Sequence, residues 1–154
     1  MKSYKKLIPT LQKYPDAIIV TADDDILYKP DWLQKLYNAY QNNHEIIWCH
    51  RSHKIQNDLY NYTSWRHCIS TSNPAATNFC TTGGGVLYPP HCFHQDVLNE
   101  QFFMSLCPDA DDIWFWSMLV LNGKKVCTVP NNYTTISLID GTQEDALWIY
   151  NGQG

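Results

Sequence analysis

Apolar residues recur at Tyr4, Leu7, Ile8 and Leu11, the i, i+3, i+4, i+7 spacing of an amphipathic helix, and the pattern ends near Tyr14 and Pro15. Ala17, Ile18, Ile19 and Val20 follow as an unbroken apolar run between Pro15 and a group of acids, which predicts a short buried strand. Pro30 and Asp31 then open a second helix, with Leu33, Leu36, Tyr37 and Tyr40 on one apolar face and Asn42 and Asn43 at its end. Ile46, Ile47, Trp48 and Cys49 read as the next strand. A helix, strand, helix, strand order is the grammar of a mainly parallel α/β sheet flanked by helices.

Between residues 51 and 82 this pattern breaks. The stretch is polar, carries Tyr60, Tyr62 and Trp65, and sustains neither period; a loop that long is usually functional or disordered. Gly83, Gly84 and Gly85 lead into a short strand, Val86 to Tyr88, stopped by Pro89 and Pro90. A helix carrying Val97, Leu98, Phe102 and Leu106 runs to Pro108. Asp109, Ala110, Asp111 and Asp112 precede a strongly apolar helix with Ile113, Trp116, Val120 and Leu121, which stops at Asn122 and Gly123. Lys125 to Val129 predicts a further strand, and the tail to Gly154 is rich in turn residues. There is no internal repeat.

Composition narrows the class. A chain of 154 residues, 44% hydrophobic and 17% charged, is sized for one folded domain, 1–154, with a real core. The net charge of -4 and the lack of a basic stripe argue against nucleic acid as a partner. No apolar run approaches the ~18 residues that span a bilayer, and no signal-peptide core follows Met1. The six cysteines lie far apart without a C-x-x-C pair, so reduced, mostly buried thiols are expected rather than a disulfide framework. Without export, the sequons at Asn61 and Asn132 carry little weight.

The chemistry concentrates in acids. Asp23, Asp24 and Asp25 stand at the carboxyl end of the first predicted strand, the end at which open α/β sheets bind ligands. Two carboxylates roughly 5 Å apart at an effective dielectric of about 20 repel by about 3 kcal/mol, so three together call for a cation, a donor or a proton. Asp also favours turns and helix caps, but Asp31 is already placed to cap the next helix, and three further acids exceed that need. Hard oxygen ligands select Mg²⁺ or Mn²⁺ over zinc. Asp109, Asp111 and Asp112 taken alone read as helix-capping grammar, worth about 0.3 to 1 kcal/mol each against the helix dipole. Their pairing with the first cluster, after a glycine-rich turn, is what suggests a general base acting on an acceptor hydroxyl. Gly83 to Gly85 form neither a dinucleotide fingerprint nor a P-loop. The histidine pairs at 50 and 53 and at 91 and 94 lack a helix and a third ligand, which disfavours zinc. Trp65, Tyr60 and Tyr62 are the aromatics placed to stack on a sugar or base.

The string Ile19-Val20-Thr21-Ala22-Asp23-Asp24-Asp25-Ile26-Leu27-Tyr28, followed by Pro30-Asp31-Trp32-Leu33, resembles the aspartate (DxD) motif of glycosyltransferases with the GT-A fold, especially family 2-like bacterial enzymes. Thr82-Gly83-Gly84-Gly85-Val86-Leu87-Tyr88-Pro89-Pro90 and the helix start Asp111-Asp112-Ile113-Trp114 extend the resemblance, which spans roughly Lys5 to Trp148. It implies metal-dependent, inverting transfer of a sugar from a nucleotide-diphosphate donor to a glycan or lipid-linked acceptor, as in polysaccharide biosynthesis, in the cytoplasm or at the inner membrane surface. Asp23 and Asp25 would bracket Mn²⁺ or Mg²⁺ and the donor, with Asp25 the direct ligand and Asp24 nearer the sugar or ribose. Asp112 would deprotonate the acceptor, Asp111 would orient Asp112 or the acceptor, and Trp65 with Gly83 to Gly85 would border the acceptor site.

Enzymes of this fold begin with a strand, helix and strand that hold the nucleotide base, whereas this sequence starts at the helix before the aspartate motif and ends without a closing helix. The expectation is therefore a fragment or a truncated product, with an exposed sheet edge that favours association with another copy. Two rival readings use the same residues: a non-catalytic carbohydrate or nucleotide-sugar binding module, and a metal-dependent phosphoryl hydrolase.

Overall fold

The computed structural model describes residues 2–56, 61–71, 73–132 and 137–142; Tyr60 and the tail beyond residue 142 lie outside them. A 3-10 turn, Lys2–Lys6, leads into helix α1, Ile8–Lys13, and strand β1, Ile19–Thr21. Helix α2, Trp32–Asn42, and strand β2, Ile46–Cys49, follow. After them come β3, Ser52–Lys54, β4, Arg66–Ile69, β5, Asn78–Cys80, and β6, Val86–Tyr88. Helix α3, Glu100–Leu106, helix α4, Asp111–Leu121, and β7, Lys125–Thr128, follow, and short 3-10 turns lie at Tyr62–Ser64, Thr82–Gly84 and Gln95–Leu98.

The main sheet has the order β1-β6-β2-β7. Strands β1, β2 and β7 point the same way and β6 runs against them, giving a mixed sheet. The alternation of side chains along each strand divides its residues between two faces. Ile19, Ile47, Cys49, Val86 and Tyr88 join one core with Tyr4, Leu7 and Ile8 and with Phe103, Trp114, Phe115, Met118 and Leu119 of α3 and α4. Leu87, Val20 and Trp48 face the other way, onto Leu36 and Ala39 of α2. The sheet is thus covered on both sides. Among the described cysteines five are free, four of them buried, as expected for reduced thiols.

Four expectations need correction. The stretch from 51 to 82 holds an antiparallel sheet of order β4-β3-β5 rather than a structureless loop. Hydropathy concealed it because several of its buried positions are polar: Ser52, His53 and Asn78 are fully inside, and the Asn78 amide donates to the Val126 carbonyl at 2.8 Å. In α2 the buried face is Leu36 and Ala39, while Leu33 and Tyr37 are exposed. The predicted third helix is broken at Asn99, whose side chain caps α3 through Phe102 N; this resets the phase, so Phe103 is buried and Phe102 and Leu106 are exposed. In α4 the core side is Trp114, Phe115, Met118 and Leu119 rather than Ile113 and Leu121, because a helix apolar all round has no stripe to read.

Candidate active site

Antiparallel pairing decides where the site lies. Because Thr21 at the end of β1 is opposite Val86 at the start of β6, the acids that follow β1 and the glycines that precede β6 emerge at the same end of the sheet. There the two turns interlock. The Tyr28 hydroxyl accepts from Asp23 N at 2.8 Å and donates to the Gly83 carbonyl at 2.7 Å, and Trp32 Nε1 donates to the Gly84 carbonyl at 3.0 Å. The glycines permit this closeness. A Cβ on Gly83 would lie 2.6 Å from Asp23 Oδ2, and one on Gly85, whose φ is +100°, would lie 2.5 Å from the Trp32 ring. Gly84 backs onto Arg51 in the same way. Thus Gly83 borders Asp23 directly, while Gly84 is packed against Arg51 and Gly85 against Trp32 at the start of α2.

The second acidic cluster reaches the glycine turn from α4. Ala110 occupies the N-cap position and no side chain caps the helix, so Asp109 does not supply the cap its spacing suggests. Asp112 is partly buried, and its Oδ1 accepts from Thr82 N at 2.8 Å, immediately before the glycines. Asp31 likewise stands at the N-cap of α2 without a capping bond and pairs with Lys35 at 3.2 Å instead.

Lys6 closes the arrangement. Its ammonium donates to Asp23 Oδ1 at 2.7 Å and to Thr82 Oγ1 at 3.1 Å, and lies 3.7 Å from Asp111 Oδ2. Burial would lower the Lys6 pKa, but Asp111 and Asp23 outweigh it and hold the value above its ordinary level. Asp111 is 8% exposed, and its Oδ2 is buried with no hydrogen-bond partner. Burial and the neighbouring Asp111 push the Asp112 pKa up to about 6, against the opposing pull of the Thr82 contacts and of Lys6. A carboxyl tuned towards neutrality is suited to taking a proton near physiological pH.

The remaining sequence candidates divide. Asp23 and Asp25 are half-buried in the turn and Asp24 is exposed. The backbone of the turn is tied down beyond Asp25, where Ile26 pairs with Leu138 and Ile139 N donates to the Asp25 carbonyl at 2.9 Å. Trp65 does not present a face to solvent: it is 8% exposed and packs with Ile55 and Phe79 beside Trp116. The aromatic of that wall that reaches solvent is Tyr62, 45% exposed, with its ring 5.1 Å from Trp65 and 5.7 Å from His53.

Among the described residues no three His, Cys, Asp or Glu side chains converge to hold a metal ion by themselves. A hard cation that shares its shell with phosphate oxygens needs only one or two carboxylates. The acidic turn meets that smaller requirement by the chemistry of its donors, since Asp23 and Asp25 are half-buried carboxylates of one turn and their hard oxygens suit Mg²⁺ or Mn²⁺. Lys6 and Thr82 are the site residues that pattern reasoning did not assign. Lys6 sits one place from the apolar stripe of the first helical segment and looks like any surface lysine until the distant acids are placed around it.

Residues 11–100 match the family model of Glycosyl transferase family 2. No curated protein and no solved structure matches the chain.

Proposed function

From the premise that this chain belongs to glycosyl transferase family 2, with a mixed sheet flanked by helices as in the GT-A fold, we propose that it transfers a sugar from a nucleotide-diphosphate donor to an acceptor hydroxyl with inversion. The observation that carries this reading is the meeting of the two acidic clusters around Lys6 and Thr82 at one end of the sheet.

Asp23 and Asp25 flank the donor diphosphate, with Asp25 the carboxylate for Mg²⁺ or Mn²⁺ and Asp24 reaching the sugar or ribose. When bound, such a cation neutralises charge developing on the departing diphosphate. Asp112 takes the proton of the acceptor hydroxyl as its oxygen bonds to the anomeric carbon. The bond from that carbon to the diphosphate oxygen breaks, and the nucleoside diphosphate leaves with the electron pair. Asp111, beside the base, raises its proton affinity and orients it. Gly83 lies at the junction of the two halves, and the wall of Trp65 and Tyr62 lies on the acceptor side. A glycan or lipid-linked acceptor in the cytoplasm or at the inner membrane surface suits this chemistry; no described helix is long and apolar enough to cross a membrane.

Calorimetry with Mn²⁺ and uridine diphosphate tests the donor half: Asp25→Ala should remove the metal-dependent part of binding, and unchanged binding would refute the assignment. Exposed Tyr62 backed by Trp65 and His53 favours a second reading, a carbohydrate-binding module that does not transfer. Glycan binding that survives both chelator and loss of Asp112, with no transfer by the wild-type chain, would support it.

A further inference from the structure

Two features of Lys6 do not follow from a fixed ion pair. Its ammonium has three N–H donors; among the described residues two are spent on Asp23 Oδ1 and Thr82 Oγ1. Its distance to Asp111 Oδ2 is 3.7 Å, an electrostatic contact but too long for a hydrogen bond. That oxygen is buried and has no hydrogen-bond partner, and a buried acceptor left unsatisfied is costly. A vacant seat for an ammonium therefore lies about 1 Å beyond the place Lys6 occupies, given the ~2.8 Å of a charge-assisted bond. The lysine stem is flexible enough to cover that distance.

We propose that Lys6 is a two-position positioning residue: it holds Asp23 while the donor side is empty, and passes to Asp111 when a divalent cation takes the Asp23 carboxylate. This rests on the reading of the acidic turn as a metal and donor site. A doubly charged ion beside Asp23 repels the ammonium and competes for the same oxygen, while Asp111 offers Lys6 a full negative charge on the far side. Donor arrival would then be felt at the base cluster, because the charge leaving Asp23 moves towards the neighbour of Asp112. Lys6 would thus couple the two halves of the site without touching either substrate.

The test measures Mn²⁺ affinity, by electron paramagnetic resonance, in the wild-type chain and in Lys6→Met, Lys6→Arg and Asp25→Asn. Removing the competitor should make Lys6→Met bind Mn²⁺ roughly fivefold more tightly, the factor for an ion pair worth about 1 kcal/mol, and Lys6→Arg should return to the wild-type value. A lysine that merely braced the fold would weaken binding when lost. Lys6→Met that binds no more tightly than wild type overturns the proposal, whereas Asp25→Asn that keeps full affinity overturns the metal reading beneath it. A measurement on the intact wild-type chain guards against a variant that fails to fold. Addition of Mg²⁺ with uridine diphosphate should shift the ¹⁵N signal of the Lys6 ammonium, and an unmoved signal would likewise overturn the proposal.

Discussion

Replacing Asp112 by Asn should make the protein more stable at pH 8 while removing transfer. The carboxyl of Asp112 is raised from 3.8 to about 6 by burial and by Asp111, so folding opposes its ionisation. A carboxyl with a raised folded pKa leaves stability intact below the unfolded value, removes it progressively as pH climbs from about 4 to about 6, and holds a constant penalty above that. At about 1.4 kcal/mol per pKa unit the full penalty is roughly 3 kcal/mol. Asp112 keeps an opening to solvent, so a gain of about 1–3 kcal/mol is expected for the variant. Asn preserves an oxygen to accept from Thr82 N and is close in volume, so the substitution removes the charge with little else. Urea unfolding of wild type and Asp112→Asn at pH 4, 6 and 8 measures the effect. The difference should be near zero at the lowest pH and largest at the highest. A variant less stable than wild type at pH 8, or a difference that does not vary with pH, would refute the electrostatic account and leave Asp112 as an ordinary structural acid.

Gly85→Ala should cost about 2–5 kcal/mol in urea unfolding, combining ~1–2 kcal/mol of left-handed strain with overpacking of about 1–3 kcal/mol, because its φ is +100° and the new Cβ meets the Trp32 ring at 2.5 Å. Tyr28→Phe deletes the hydroxyl that joins Asp23 N to the Gly83 carbonyl and should cost about 1–2 kcal/mol. It should also weaken uridine diphosphate binding several-fold in calorimetry, since the acidic turn loses its tether; unchanged affinity would separate the tether from the site.

Much of the fold was legible because the main sheet alternates with helices and its strands carry contiguous apolar residues. Ile19 and Val20, Ile46 to Cys49 and Val86 to Tyr88 lie where a reading of short apolar runs puts them, and the strand expected over Lys125 to Val129 forms over Lys125–Thr128. What that reading could not supply is direction. Nothing in Val86-Leu87-Tyr88 says that β6 runs against its neighbours. The three-stranded sheet was hidden for a different reason. Ser52, His53 and Asn78 are buried, Asn78 with its amide on the distant Val126 carbonyl and His53 against the Phe79 and Tyr62 rings, and a local hydropathy pattern scores them as surface. Helix faces failed at Asn99, where a break reset the phase, throughout α4, where an all-apolar composition left no stripe, and in α2, where Leu33 and Tyr37 are exposed although the helix is continuous.

The reversal of β6 also explains why the acids were easier to find than the residues that organise them. Had β6 run parallel to β1, the glycine turn would stand at the opposite end of the sheet from Asp23, and the two motifs would be unrelated features of one chain. Antiparallel pairing of Thr21 with Val86 instead packs Gly83 against the Asp23 carboxylate and brings Thr82 within reach of both Lys6 and Asp112. An acidic triplet announces itself by composition because charge repulsion demands an explanation wherever it falls. A lysine that answers the demand does not, since its partners are chosen by topology. Lys6 changes the electrostatic problem posed by Asp23 to Asp25: Asp23 already has a resident counter-ion, so on the proposed reading a divalent cation has to compete with the Lys6 ammonium for that carboxylate.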